Sequence, residues 1–187
     1  MKRLIILDSL LSFLFISIAQ AEILIEPVLG YNFATKAEIK GPNGDKSKGS
    51  GSGVGYGGRI GFQAVGFQIG ADYLHSSLSL DKDIDETVDT NELAAFVGYE
   101  FPVFLRVYAG YIFSATGEYK DGNSQKVKLS DGSGTKFGIG FTGLPIIDIN
   151  LEYRSGEFDQ YEVNGAKTDN KTSYNSLFLG LSAPFTF

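Results

Sequence analysis

The chain of 187 residues contains no cysteine, so neither a disulfide framework nor a thiolate metal site is available to it. It also lacks a basic surplus, because 16 Lys and Arg residues stand against 22 Asp and Glu residues, a formal net charge of −6. That balance excludes the basic face that a nucleic-acid-binding protein needs. Beyond residue 21 no apolar run reaches about 18 residues, which excludes a transmembrane helix there.

The first 21 residues have the pattern of a secretory signal peptide. Lys2 and Arg3 precede an apolar run, and Ala19–Ala21 forms an A-x-A cleavage site. The run is too short to span about 30 Å of hydrocarbon as an anchor. We therefore expect residues 1–21 to be removed and residues 22–187 to form one domain. Loss of two basic residues and one acidic residue changes the formal charge from −6 to −7.

Glycine and aromatic residues are abundant, with 24 Gly, 15 Phe and 10 Tyr in the chain, which favours turns and half-buried strands over helices. In eight segments, large apolar residues alternate with glycine or polar residues at the period of two that a strand imposes. An even number of such segments predicts an antiparallel sheet that closes without free edges. The segments are 23–33, 54–63, 67–73, 93–101, 105–114, 136–141, 147–154 and 176–187.

The period alone does not say which face of each strand points outward. A soluble secreted barrel would enclose the apolar face around a ligand. The reverse is favoured because the polar face is rich in glycine and carries charges of both signs that can pair in a lumen, while aromatic residues gather at the ends of the apolar face. With Phe96 and Tyr108, these charges are expected to fill the interior and leave no large pore. The predicted lumen charges are Glu26, Arg59, Asp72, Glu100, Arg106, Lys136, Asp148, Glu152 and Arg154.

The connections between the segments alternate in length. Three are short, at residues 64–66, 102–104 and 143–145; four are long and polar, at residues 35–53, 75–91, 115–133 and 155–173. Short turns on one rim and long loops on the other are typical of outer-membrane barrels. The Gly/Ser-rich part of the first long connection, residues 41–51, is expected to be mobile. The sequence thus predicts an all-β fold, an eight-stranded antiparallel up-and-down transmembrane β-barrel.

With these segments the chain resembles the small outer-membrane barrels typified by the OmpA membrane domain and OmpX. The resemblance covers residues 22–187 and includes Phe187, preceded at period two by Phe185, which looks like the C-terminal signal read by the barrel assembly machinery. It implies the outer membrane of a Gram-negative bacterium and contact with its lipid and lipopolysaccharide. Roles of this class are adhesion, envelope integrity or host interaction, so extracellular proteins or surfaces are candidate partners. No cofactor is implied.

Two other functions remain open alternatives. His75, the only histidine, and Ser77 share one face of a strand, and their spacing resembles the His-x-Ser pair of lipid A deacylase barrels. In such a pair the histidine would activate the serine hydroxyl, oriented by an acid. No further residue of that family's motif accompanies them. The second alternative is a small-solute channel, whose conductance would depend on lumen charges such as Arg106 and Glu152.

The segment that follows Ser77 is rich in acids at the spacing of a twelve-residue EF-hand loop. Position 6 of that loop holds Glu86 instead of the glycine that makes the sharp turn, and the flanks are strands instead of helices. Weak Ca²⁺ binding, sharing of the divalent ions that bridge lipopolysaccharide phosphates, and a solvated hairpin tip remain alternatives. The candidate ligands are Asp81, Asp83, Asp85, Asp89 and Glu92.

Overall fold

A computed structural model of the chain describes residues 21–40, 46–81, 87–120, 126–163, 166–168 and 171–187. Within those ranges no helix is long and apolar enough to cross a membrane. The regular structure consists of β-strands alone. They are β1 (Glu22–Lys40), β2 (Lys46–Ala64), β3 (Phe67–Asp81), β4 (Thr87–Phe101), β5 (Leu105–Lys120), β6 (Lys126–Phe141), β7 (Asp148–Val163), β8 (Ala166–Thr168), β9 (Thr172–Ser182) and β10 (Phe185–Thr186).

The strands form a closed barrel. Each strand from β1 to β7 pairs antiparallel with the next, and β9 pairs with both β7 and β1, which closes the sheet. The short β8 pairs with the far end of β7, and β10 continues the line of β9 along β1. The wall therefore has eight positions, and the predicted eight-stranded antiparallel barrel is confirmed. The last predicted segment is divided at Ala183 and Pro184, where the pairing is interrupted.

The apolar face of the barrel points outward. On β2, Ile60 and Phe62 are 58% and 57% exposed, whereas Arg59, which precedes Ile60, is 3% exposed. On β3 the outward residues are apolar from Phe67 to Tyr73 and then become polar. Leaving large apolar side chains in water costs about 1.5–3 kcal/mol each, so this apolar band is a surface for lipid. The orientation predicted from the glycines and charges is confirmed.

Four long connections were expected, and here the prediction is largely wrong. The strands continue beyond the apolar band as paired hairpins: β1 reaches Lys40, and residues 46–51 of the predicted mobile loop lie in β2, paired with β1. Residues 41–45 of that loop lie outside the described residues. The prediction failed because backbone pairing continues where the outward side chains become polar. We call the parts of these strands that continue beyond the apolar band the upper wall. They extend about six residues beyond the band, roughly 20 Å.

Three β-bulges change which residues face inward in the upper wall. Extra residues lie between Asn32 and Thr35 in β1, at Ser114 in β5, and at Asp131 in β6, which has a φ of +53°. Each extra residue reverses the inward and outward alternation beyond it. Ser114, expected in the lumen, is therefore exposed, and Ala115 takes the inward position.

Candidate functional site

A network of ion pairs fills the part of the lumen nearest the short turns, and Arg59 lies at its centre. Its Nε atom is 2.9 Å from Asp72 Oδ2, its Nη1 is 3.0 Å from Glu26 Oε1, and its Nη2 contacts Glu152. Nη2 also donates a hydrogen bond of 3.1 Å to the hydroxyl of Tyr108, whose ring centroid lies 4.5 Å from the guanidinium carbon. One cation thus joins carboxylates from three different strands.

Arg106 extends this network toward the short turns. It makes a bidentate pair with Glu26, at 3.0 Å to Oε2 and 2.6 Å to Oε1. Its Nη2 also donates to Asn150 Oδ1 at 2.7 Å and lies 3.5 Å from Asp148 Oδ2. Glu26 is therefore shared by two guanidinium groups, which supplies the compensation that a fully buried carboxylate requires.

On the opposite side of Arg59, Glu152 collects the remaining cations. Arg154 Nη2 donates to Glu152 Oε2 at 2.7 Å, and Lys136 Nζ lies 3.9 Å from the same oxygen. Lys136 Nζ is also 2.6 Å from Asp72 Oδ2 and 5.9 Å from the centroid of the Phe96 ring. Glu152 therefore faces three cations, including Arg59, and is fully buried among them.

The structure places eight of the nine predicted lumen charges in this network. The ninth, Glu100, is half-buried and pairs with no basic side chain among the described residues. Glu92, assigned from the sequence to a cation loop, is 8% exposed inside the barrel, 2.6 Å from Arg154 Nη1. It also accepts the hydroxyl of Tyr174 at 2.8 Å. Its even spacing from Ala94 on β4 was the signal that could have placed it inward.

Apolar side chains fill the lumen beside and beyond Glu92, next to a buried hydrogen-bonded group of Asn32, Thr35, Ser76 and Ser176, and the sequence did not indicate this arrangement. The rings of Phe158 and Tyr174 stack with centroids 5.3 Å apart, and a separate cluster surrounds the fully buried Phe178. A Cβ atom on Gly55 would lie 3.0 Å from the Phe178 ring, so glycine leaves room for this side chain. We call these side chains the apolar plug: Val28, Leu74, Ala94, Ile112, Ala115, Leu129, Phe158, Tyr174 and Phe178.

His75 and Ser77 lie on the outer face of β3, where the apolar band ends. His75 Nδ1 is 3.0 Å from Asn91 Oδ1, and its ring centroid is 4.9 Å from that of Tyr56. The hydroxyl of Ser77 donates to Asp89 Oδ1 at 2.7 Å. Each side chain is thus engaged by a separate partner on β4, and within the described part of the chain no hydrogen bond joins the histidine to the serine.

The predicted twelve-residue cation-binding loop is wrong at its C-terminal end. Asp89 is exposed on the outer face of β4, whereas Glu92 is buried in the lumen, because residues three apart on a strand face opposite sides. These two carboxylates therefore do not share an ion. Asp83 and Asp85 lie outside the described residues, as does the side chain of Asp81. Across the described ranges no group of three or more potential ligands could hold a metal.

The outer face of the upper wall carries charged pairs. Lys171 lies 2.9 Å from Asp159 and 3.4 Å from Glu157, and the hydrogen bond to Asp159 raises the pKa of the lysine above its ordinary value. These groups are exposed, so water and salt screen each pair and it contributes little to stability. The charges here act on whatever approaches the wall more than on the fold itself.

A closed antiparallel barrel with an apolar outer band and a filled, polar lumen is a transmembrane β-barrel. The fold is that of the small eight-stranded barrels of the bacterial outer membrane, and that is the location of this protein.

The chain matches no protein-family model and no curated protein. Among solved structures it is similar to Neisserial surface protein A, at 14% identity over 88% of this chain and 99% of that chain, with a TM-score of 0.54. Outer membrane protein OprG from Pseudomonas aeruginosa matches at 15% identity over 88% and 96%, with a TM-score of 0.49. Ail, the attachment invasion locus protein of Yersinia pestis, matches at 14% identity over 86% and 99%, with a TM-score of 0.46. Identities of this size describe the fold alone.

Proposed function

We propose that the protein is a non-enzymatic surface barrel with a sealed lumen, whose upper wall makes contact with proteins or surfaces outside the cell. The observation that carries the proposal is the double filling of the lumen. The ion network occupies the part nearest the short turns, and the apolar plug, with the hydrogen-bonded side chains of Asn32, Ser76 and Ser176, fills the lumen beside and beyond it.

The sealed lumen argues against a solute channel. An eight-stranded barrel has an interior only just wide enough for its own side chains. Five carboxylates and four cations meet here at ion-pair distance, and separating a buried pair costs several kcal/mol. A passing ion would have to break these pairs and then pass the plug, beside which Asn32, Ser76 and Ser176 are already hydrogen-bonded to one another.

The outer wall gives no support to a hydrolase. A nucleophilic serine needs a base within hydrogen-bond reach of its hydroxyl. Ser77 instead donates to Asp89, and His75 contacts Asn91. What remains for interaction is the upper wall, a set of paired hairpins that hold polar side chains on a rigid scaffold.

The proposal includes two steps of biogenesis. Residues 1–21 act as a signal peptide that is cleaved after Ala21, a proposal that rests on the sequence because residues 1–20 lie outside the described residues. Phe187 acts as part of the signal read by the barrel assembly machinery. Its support is the exposed ring of Phe187 at the end of the strand that closes the barrel.

Planar-bilayer recording of the purified barrel tests the sealed lumen. The expected result is the absence of stable conductance steps. Steps whose size changes in Arg106→Ala or Glu152→Ala would overturn the proposal in favour of a channel.

Attachment of expressing cells to epithelial monolayers tests the upper wall. A variant in which residues 41–45, 82–86 and 121–125 are each replaced by Asn-Gly is expected to reach the surface and lose attachment. Attachment equal to that of the unaltered barrel, at matched surface abundance, would contradict a contact role for these hairpins.

A further inference from the structure

A shallow groove of about 540 Å³ lies on the outer wall where β9, β1 and β2 meet. Its lower row consists of Asn175, Lys36 and Ser50, which are paired in register across the three strands. The next row, farther along the strands from the apolar band, holds Ser173, Glu38 and Lys48. The volume is within the range of small-ligand sites, and the lining combines charged and polar side chains with Ala37 and Gly49.

Lys36 differs from the other outward lysines of the described chain in its surroundings. Its register neighbours Ser50 and Asn175 are neutral, and none of the described carboxylates lies within ion-pair distance of it. By contrast, Lys48 is 3.9 Å from Glu38, and Lys171 is paired with Asp159. Lys128, which is also without an ion pair, is flanked in register by Glu118 and Glu162. Among the outward lysines whose side chains the structure describes, Lys36 therefore has the least compensated positive charge.

The position of Lys36 along the strand is equally specific. It follows Phe33, the last apolar outward residue of β1, by three residues, with a bulge between them. Tyr31, two rows below Lys36, donates to Ser52 at 3.1 Å, as an aromatic residue at a membrane interface does. Lys128, by contrast, lies nine residues beyond Phe137 on β6. In a bilayer, the Lys36 row thus meets the level at which acyl chains end and headgroups begin.

We propose that Lys36, with Ser50 and Asn175, binds a phosphate group of a lipid in the outer leaflet of the outer membrane. The ammonium group supplies charge, and the Ser50 hydroxyl and Asn175 amide supply neutral donors. The hydroxyl of Tyr153 donates to Asn175 Oδ1 at 2.8 Å, which leaves the Nδ2 group of Asn175 to donate to the phosphate. The bisphosphorylated glucosamine headgroup of lipid A has this chemistry at this level of the membrane.

The rest of the wall makes this binding directional. In the next row the charge of Lys48 is paired with that of Glu38, so the lower row holds the uncompensated cation. On the far side of the barrel, Asp89 and Glu118 are paired in register on the outer face, with Glu162 two strands on. This acidic side repels phosphate. The inference depends on the membrane location of the barrel and is independent of the attachment role proposed for the hairpins.

Native mass spectrometry of the detergent-solubilised mature barrel, titrated with bisphosphorylated lipid A, tests the proposal. Lys36→Gln is expected to weaken binding about five-fold, the effect of one lysine near an anionic surface. Lys128→Gln removes the same charge from the same outer face and is the matched control, expected to bind as the unaltered barrel does. Both variants are first checked for heat-modifiable electrophoretic migration, which reports the folded barrel.

Two further arms identify the source of the phosphate. Lipid A stripped of its phosphates is expected to bind with equal weakness to the unaltered barrel and to Lys36→Gln. Millimolar inorganic phosphate is expected not to displace the bisphosphorylated lipid. Equal affinity of Lys36→Gln and the unaltered barrel for that lipid would overturn the site. Equal losses in Lys36→Gln and Lys128→Gln would reduce it to general charge attraction, and displacement by inorganic phosphate would exclude a lipid-specific site.

Discussion

Ile23 and Phe187 exchange two backbone hydrogen bonds, with Ile23 N 2.9 Å from Phe187 O and Phe187 N 3.1 Å from Ile23 O. The last residue of the chain thus completes the pairing of the first strand. In hydrocarbon an unpaired backbone group costs several kcal/mol. These two hydrogen bonds are therefore needed to close the barrel.

Deletion of Phe187 is expected to lower the folded fraction of the barrel, because Ile23 loses both backbone partners at a lipid-facing position. Heat-modifiable migration of the refolded chain measures that fraction. Phe187→Leu keeps the backbone pairs and an apolar side chain and serves as the control. Equal folded fractions for the deletion and the full chain would show that closure does not depend on the terminal residue.

Glu152→Gln is expected to destabilise the barrel by about 3–5 kcal/mol, because Arg59, Lys136 and Arg154 lose their shared buried charge. Urea unfolding in lipid vesicles gives the free energy. Asp159→Asn, which breaks the exposed pair with Lys171, is expected to change the free energy of unfolding far less, because solvent screens that pair. Similar losses for the two variants would mean that the buried network contributes no more than a surface pair.

Gly138→Ala is expected to cost about 1–3 kcal/mol, because the added Cβ would overlap the ring of Tyr108, which lies against this glycine. The same unfolding assay measures the loss. Gly49→Ala is the control, since nothing lies within 4 Å of a Cβ at that position. A neutral effect of Gly138→Ala would indicate that Tyr108 has room to move and that the lumen is less tightly filled than its contacts indicate.

Overexpression of the protein is expected to leave the mass profile of cellular lipid A unchanged, because His75 and Ser77 are held by different partners. Mass spectrometry of extracted lipid A from cells with and without the protein makes the comparison. A shift that disappears in His75→Ala would establish the hydrolase that the present geometry does not support.

The alternation of Arg59 with Ile60 and its equivalents was enough to predict the barrel and its orientation, because lipid and lumen impose opposite demands at a period of two. The same rule could not find the upper wall, where the outward residues are polar and the inward residues mix polar with apolar side chains. Nor could it pair Glu92 with Arg154, which are 62 residues apart in sequence and meet only when the sheet closes.

The bulge at Asp131 had no sequence signal either, since a positive φ is uncommon at a residue other than glycine. The pairing of ionic side chains across the lumen and the positions of the bulges both depend on the closed barrel. A period in the sequence describes one strand at a time and therefore cannot specify them.

The irregular residue at Asp131 also gives β6 one position at which its length can change. The bulge places Ser130 and Asp131 together opposite Thr116. Excising Asp131 would leave Ser130 alone in that place, so Leu129 would stay opposite Gly117, and Val127 and Leu129 would stay in the lumen. A single deletion in a regular stretch of the wall would instead turn the residues beyond it to the other face.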